Sequence, residues 1–241
     1  MKITKIIGAM AIMAMASQAH AISFVIDHFD DNPGTGNISH ASPDAGPTVD
    51  TQVGTTAVGA DRDVVTSSTG GGNNLDFNIG ATTVSGDSLE ISNGAGVTGV
   101  VKVVWDGTGV SVANGGAGAA GLGGVDFTAG GINTYIRVNV LNIDLTTTVS
   151  LTLVDTLANT YTTPAALFGG PGVFLVSLND FFIGGNVNVA SIDSLTMTLT
   201  GATAWDATFD LIETGGGVPV PAPMALIGLG LVGLAMRRRT A

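Results

Sequence analysis

Leu195-Thr196-Met197-Thr198-Leu199-Thr200 alternates an apolar side chain with a threonine at every step. In an extended chain successive side chains point to opposite faces, so Leu195, Met197 and Leu199 make one apolar face and the three threonines a polar one. This is the pattern of a half-buried β-strand. Val149-Ser150-Leu151-Thr152-Leu153 repeats it, and shorter runs of strand character lie at Phe24–Ile26, Leu75–Ile79, Ser88–Ser92, Thr98–Trp105, Tyr135–Leu141, Val173–Leu178 and Thr208–Ile212. Clusters of Gly, Asn, Asp and Pro separate them, as turns require. Between Ile22 and Gly217 no window carries a convincing apolar stripe of helical period, and the chain's 36 glycines work against long helices. About ten short strands joined by turns bury their apolar faces best as two facing sheets, so the expected fold is all-β, a jelly-roll-like β-sandwich.

Outward from these strands, Asp31–Ala60 is poor in large apolar residues and Ala113–Gly124 is almost all Gly and Ala. Both are expected as loops. Gly123-Gly124-Val125-Asp126-Phe127 has the look of half a glycine-rich calcium repeat, but no second copy follows nine residues on. Trp105 and Trp205 are expected inside strands, packed in the core rather than offered to a sugar.

The two ends of the chain differ from the middle. Met1–Ala21 opens with Lys2 and Lys5, continues with an apolar stretch from Ile6 to Ala16 and closes with Ala19-His20-Ala21, the small-x-small pattern of a signal-peptidase site. At the other end Val218-Pro219-Val220-Pro221-Ala222-Pro223 precedes an apolar run from Met224 to Met236 and the cluster Arg237-Arg238-Arg239. As a helix, Met224–Met236 would reach only about 20 Å, short of a hydrocarbon core of about 30 Å.

This order of proline-rich box, apolar helix with glycines and terminal arginines resembles the PEP-CTERM sorting signal of Gram-negative bacteria, with Pro219-Val220-Pro221 where that family has Pro-Glu-Pro. The resemblance implies an exosortase substrate: an exported chain whose single C-terminal transmembrane sorting helix holds an inner-membrane-anchored precursor, with Arg237, Arg238 and Arg239 on the cytoplasmic side, before the protein passes to the cell surface or extracellular matrix. The organisation expected is then a signal peptide over 1–21, a β-sandwich ectodomain over 22–217 and a sorting tail over 218–241 marked by Pro219, Pro221 and the three arginines. Ala19 and Ala21 mark the signal-peptidase cleavage. The partners implied are signal peptidase, exosortase, the membrane through the C-terminal helix, and an exopolysaccharide. Phe29-Asp30-Asp31, Gly59-Ala60-Asp61-Arg62-Asp63-Val64, Leu89-Glu90-Ile91-Ser92-Asn93, Val104-Trp105-Asp106-Gly107, Ser191-Ile192-Asp193-Ser194-Leu195 and Ala204-Trp205-Asp206 resemble, in their order, the ectodomains that often precede such a tail. Those ectodomains look like jelly-roll sandwiches of the kind found in carbohydrate-binding modules.

Charge narrows the partners further. All 19 acidic residues lie between Ile22 and Gly217, against only Arg62, Lys102 and Arg137 of the 8 basic ones. A surface this acidic excludes nucleic acid. Cysteine is absent, so disulfide and thiolate chemistry are excluded too.

Beyond the signal peptide the histidines are His28 and His40, and no Gly-x-Ser-x-Gly elbow occurs, which argues against a Ser-His-Asp hydrolase. Calcium is the better chemical expectation. Asp27, Asp30 and Asp31 cluster near the mature N-terminus, and Asp206, Asp210 and Glu213 cluster at the last strand. Terminal strands of a sandwich commonly lie side by side, so these six could together meet the oxygen demand of Ca²⁺; solvated edge and turn aspartates are the plainer alternative. Asp61 and Asp63 flank Arg62, a local charge compensation that reads as structural. Two function classes remain: a non-enzymatic surface or matrix protein associated with exopolysaccharide, and a secreted glycoside hydrolase or other polysaccharide-acting enzyme whose carboxylate pair the sequence does not single out.

Overall fold

A computed structural model describes residues 23–30, 38–40, 48–70, 75–79, 88–108 and 120–216. In chain order the elements are β1 (Phe24–Asp27), β2 (Ile38–His40), β3 (Thr48–Val53), β4 (Asp61–Gly70), β5 (Leu75–Ile79), β6 (Leu89–Asn93), β7 (Val97–Trp105), β8 (Asn133–Ile143), β9 (Thr147–Asp155), β10 (Thr160–Thr162), β11 (Ala166–Phe168), β12 (Gly172–Ser177), α1 (Leu178–Gly185), β13 (Ile192–Gly201) and β14 (Asp206–Gly216). They form two seven-stranded sheets. The first runs β12-β8-β14-β6-β5-β2, with β1 also on β14; the second runs β10-β9-β13-β7-β4-β3, with β11 also on β9. Every pairing between named strands is antiparallel, and from β6 onward the chain passes back and forth between the sheets.

The threonine-alternating stretch lies at the centre of the second sheet, between β9 and β7. Its Leu195, Met197 and Leu199 are fully buried, and so are Val149, Leu151 and Leu153 beside them. Across the core they meet Ile136 and Val138 of β8, Leu89 and Ile91 of β6, and Phe209 and Ile212 of β14. The period-two reading places these side chains because each strand has one face on this core.

A polar group crosses between the layers. Arg62 on β4, in the second sheet, is wholly buried and pairs through Nη1 with Asp27 at the end of β1, in the first, at 2.7 Å to Oδ1 and 2.9 Å to Oδ2. Arg62 Nε donates to Gln52 Oε1 at 2.6 Å, and the guanidinium lies 5.6 Å from the centre of the Phe29 ring. Asp27 also accepts from Trp105 Nε1 and from the backbone N–H of Phe29, each at 2.8 Å. The partner of Arg62 across the sandwich is therefore distant in sequence, whereas the sequence suggested compensation by Asp61 and Asp63 next to it.

Several expectations need correcting. Asp31–Ala60 is not all loop: β2 and β3 lie in it, and β3 pairs with β4 from Thr48↔Thr66 to Val53↔Asp61. β4 itself has no apolar alternation at its start, which is the Asp-Arg-Asp triplet. Trp205 lies in the turn before β14 rather than in a strand, though it is fully buried like Trp105. A helix also appears where no helical stripe was evident. α1 is eight residues long with Leu178 and Phe181 buried, so its apolar stripe is two residues and too short to register as a period. It begins at Ser177, whose Oγ accepts from Asn179 N at 3.2 Å, and ends at Asn186 in the left-handed conformation with φ 55°.

The expectation of a jelly-roll sandwich joined to a transmembrane sorting helix is corrected in its second half, together with the membrane partner and the inner-membrane-anchored precursor that depend on it. Among the described residues no helix is long and apolar enough to cross a membrane. α1 spans only about 12 Å against the ~30 Å of a hydrocarbon core. The segments read as signal peptide and sorting tail, with Ala19, Ala21, Pro219, Pro221, Arg237, Arg238 and Arg239, lie outside the described residues.

Replacing Asp27 by Ala removes the carboxylate that meets the buried Arg62 across the sandwich, and we expect a loss of about 3–5 kcal/mol in urea unfolding. The double replacement Asp27→Leu with Arg62→Met is expected to lose less than Asp27→Ala alone. A double variant weaker than the single one would show that the pairing is not what the layers rely on.

Candidate functional site

Open concave surface lies around α1. α1 can sit there because Gly184 and Gly185 at its end present no side chain to β10: a Cβ on Gly184 would run into the Tyr161 ring, and one on Gly185 into the Thr160 carbonyl. Tyr161 is thereby brought edge-on to Phe181, with ring centres 5.9 Å apart at 90°. The helix leaves an open groove on either side.

One groove, of about 400 Å³, runs between Tyr161 and Thr163 on one wall, Leu175 of β12 on the other, and Asp180 and Ile183 of α1. The second, of about 380 Å³, lies on the opposite flank, where Asn133 and Thr134 of β8 face Asn179, Phe182, Asn186 and Asn188 from α1 and the turn after it. Both volumes fall in the range of about 300–1,000 Å³ usual for small-ligand sites. The second groove carries no charged side chain, four amides and the largely exposed ring of Phe182. Asn133 is buried and donates through Nδ2 to Thr214 Oγ1 at 2.7 Å, while its Oδ1 has no hydrogen-bond partner. Whichever way that amide is turned, one of its two functions is left unpaired.

Asp155 fixes the far wall of this groove. It stands at the end of β9, nearly inaccessible to solvent, and accepts from Asn188 N at 2.8 Å as well as from Leu157 N, Asn159 N and Asn159 Nδ2, each at 2.9 Å. Burial pushes its carboxyl upward, but the donation from Asn188, Asn159 and Leu157 outweighs burial and holds it below the ordinary value of 3.8. Asn188 in turn accepts at Oδ1 from Ala190 N at 3.2 Å, which closes the turn.

Of the six acidic residues read as a calcium set, the five described each meet a partner of their own. β1 and β14 do lie side by side, with Val25 opposite Glu213 and Asp27 opposite Ile212. Because Ile212 is a core residue, Asp27 shares its inward face, and Glu213, one position on, is turned to the other side of the sheet. Glu213 meets Arg137 at 3.1 Å, Asp210 accepts from Asn139 Nδ2 at 3.0 Å, Asp30 from Thr56 Oγ1 at 2.7 Å, and Asp206 from Asn93 N at 3.3 Å. Asp31 lies outside the described residues. Among the described residues no group of three or more His, Asp or Glu side chains stands close enough to hold a metal. Asp126 of the half-repeat closes a local turn, accepting from Thr128 N at 2.8 Å and Gly130 N at 2.9 Å. The Thr128 hydroxyl foremost, against the opposing effect of burial, holds its carboxyl below the usual value.

None of the residues lining the two grooves was singled out from the sequence. The signal available was the run Ser177-Leu178-Asn179-Asp180 with Gly184-Gly185-Asn186 beginning seven residues after Ser177, an N-cap and a glycine-rich C-cap bracketing a helix.

No known family model matches the chain, and no curated protein does. The resemblance to exosortase substrates is corrected on that finding: neither comparison nor described helix supports it. Solved structures give distant likenesses. The family 11 carbohydrate-binding module of the cellulosomal cellulase Lic26A-Cel5E of Clostridium thermocellum is 10% identical, with 83% of this chain and 97% of that chain aligned and a TM-score of 0.40. The solution structure of CtCBM11 aligns over 84% and 99% at 10% identity, with a TM-score of 0.42. The enzymatically active domain of bacteriophage CBA120 tailspike protein 4 aligns over 70% of this chain and 19% of its own, at 10% identity and a TM-score of 0.28. These scores are too low to assign a shared ligand or activity.

A lowered carboxyl stabilises the fold above the ordinary carboxylate range, and that contribution is lost as pH falls through the folded-state value. We therefore expect Asp155→Asn to melt below the native protein at pH 7, with the difference narrowing below about pH 4. Thermal unfolding followed by circular dichroism between pH 7 and pH 3 checks this, and a gap that is constant with pH would show that the ionised form is not what binds the turn.

Proposed function

We propose that the chain is a non-catalytic module that binds a neutral polysaccharide in the groove between Phe182 and the asparagines. The observation that carries this reading is the pairing of an exposed aromatic face, Phe182, with the exposed asparagines Asn179, Asn186 and Asn188 in one uncharged groove. The C–H face of a sugar ring is apolar and packs on an aromatic ring, while its hydroxyls both donate and accept. An amide answers both from one planar group. Charge favours a neutral polymer, since a chain of net charge −11 repels an anionic one.

Hydrolysis has less support. Glycoside hydrolysis uses two carboxyl groups about 5–10 Å apart. Among the described residues Asp180 is the one carboxylate lining the first groove, and the second has none.

Affinity electrophoresis through gels containing neutral polysaccharides tests the proposal. Retardation is expected in at least one gel and should weaken about tenfold in Phe182→Ala, a loss of about 1.4 kcal/mol, and also in Asn179→Ala. Leu157→Ala, an exposed apolar change in the β9–β10 turn, should leave it unchanged. Retardation equal in all variants, or absent from every gel, would overturn the assignment.

A further inference from the structure

No side chain lining the second groove is ionisable, yet its far wall hangs on a carboxylate behind it. Asn186, Val187, Asn188 and Val189 form that wall, in the turn between α1 and β13. Within the turn Asn186 N donates to Phe182 O at 2.9 Å, Ala190 N to Asn188 Oδ1 at 3.2 Å and Ser191 N to Asn188 O at 2.9 Å. The wall is tied to the sandwich by the buried side chain of Val187, by Phe127 N donating to Val189 O at 3.1 Å, and by Asn188 N donating to Asp155 Oδ2 at 2.8 Å. Of these ties, the last alone ends on a group that changes charge. An ionised carboxylate offers about four lone-pair sites. On Asp155 they are taken by Leu157 N and Asn159 N at Oδ1, and by Asn159 Nδ2 and Asn188 N at Oδ2. A proton can be added only by displacing a donor, and the donors that remain then face a neutral, weaker acceptor.

Resting on the glycan reading of this groove, we propose that Asp155 is its positioning residue, acting through Asn188, so that a groove without an ionisable side chain binds a neutral polysaccharide in a pH-dependent way. The ionised carboxylate holds the wall; once it is protonated, Asn186 and Asn188 are no longer held in place beside Phe182, and the ligand must order them at its own cost. The folded carboxyl is held below the ordinary value of 3.8. The wall therefore stands from neutral pH down to about pH 4 and is released as pH falls through the folded-state value. All the donors to Asp155 are neutral amides, and among the described residues the elements packed around it carry no cation. Their other ionisable side chains are Asp193 on β13, next to the Ile192 that pairs with Asp155, Tyr161 on β10, Asp180 on α1, and Asp126, next to the Val125 that bridges to Ile192. Asp193 lies against Gly121, and Asp180 lines the first groove. Asp126 reaches the wall by a second route, through Phe127 N on Val189 O, and its carboxyl is lowered as well. It is the group from which the role of Asp155 has to be separated.

Titration calorimetry of the full chain from about pH 7 to about pH 3, with the neutral polysaccharide that retards it in affinity gels, is the test, and circular dichroism at each pH confirms the fold. Native affinity is expected to be level down to about pH 5 and at least about threefold weaker at about pH 3. Asp155→Asn should bind at least about threefold more weakly at neutral pH and lose the pH dependence. Phe182→Ala should weaken binding at every pH and keep the slope, as should Asp126→Asn, Asp180→Asn and Asp193→Asn without that weakening. A native profile flat throughout, a slope that persists in Asp155→Asn, or one abolished by Asp126→Asn would each overturn the proposal. A ligand-free measurement separates it from the glycan reading: in proton–nitrogen NMR spectra the backbone amide of Asn188 and the side-chain amides of Asn186 and Asn188 should shift along the Asp155 titration. If they do and no polysaccharide binds, the glycan reading falls and the positioning of the wall by Asp155 stands. If Leu157 and Asn159 shift and the groove asparagines do not, the inference falls whatever the glycan result. Should Asp155→Asn not fold, the native profile and these spectra still decide.

Discussion

A guanidinium withdrawn from water is tolerable only where its charge is met and its donors are occupied, and Arg62 satisfies both through Asp27, Gln52 and the Phe29 ring. What makes this pair central is where its members sit. Asp27 ends the strand that lies on β14 in one sheet, Arg62 opens β4 in the other, and Trp105 Nε1 ties the end of β7 to the same carboxylate. An apolar core fixes how far apart two sheets lie but tolerates sliding, because Leu, Val and Ile contacts have no direction. Four donations converging on one carboxylate are directional, and they are met only when β1, β4 and β7 stand in one mutual register.

The end of the sandwich around α1 is held by the same kind of device. Asp155 gathers backbone donors from two separate turns, one after β9 and one after α1, so that the position of Asn188 in the amide groove follows from a carboxylate on a core strand. α1 itself is placed by absence of side chains, with Gly184 and Gly185 admitting Tyr161 and Thr160 against the helix. A groove built this way is shaped before any ligand arrives, which lowers the ordering cost of binding.

How much of this could be seen in the sequence depends on the range of the interaction responsible. Alternation is local, so β13 and β9 were legible from Leu195–Thr200 and Val149–Leu153, and so was the two-layer architecture that such strands demand. β4 escaped because its opening residues, Asp61-Arg62-Asp63, look like an exposed charged turn. Arg62 is buried because Asp27, remote in the chain, reaches it from the other sheet, while Asp61, on the opposite face of β4, accepts from Gly54 N. The placement of the acidic residues on β1 and β14 has a related origin: the two strands are adjacent, but a two-residue period turns Asp27 inward and Glu213 outward, and adjacency of strands is not adjacency of side chains. The tail's likeness to a sorting signal rested on the order of three short features, and it is not upheld: no family model matches the chain and no described helix is long and apolar enough to cross a membrane.

The grooves were illegible for a different reason, and it bears on where function can reside in such a fold. Each strand with an apolar inner face spends its alternate residues on the core, and its outer residues lie on a flat surface with neighbours fixed by the pleat. Concavity therefore arises at the ends and open flanks, where among the described residues β12 has no further strand beside it and the chain turns through a short helix before returning to β13. Residues there are chosen by capping and close approach: Ser177 for its hydroxyl, Asn186 for its left-handed backbone, Gly184 and Gly185 for their missing side chains. These are the same residue types that mark any turn. Exposure of an apolar side chain does not by itself mark this turn, since Leu157 in the β9–β10 turn is as open; what Phe182 adds is an aromatic face set beside a groove of amides.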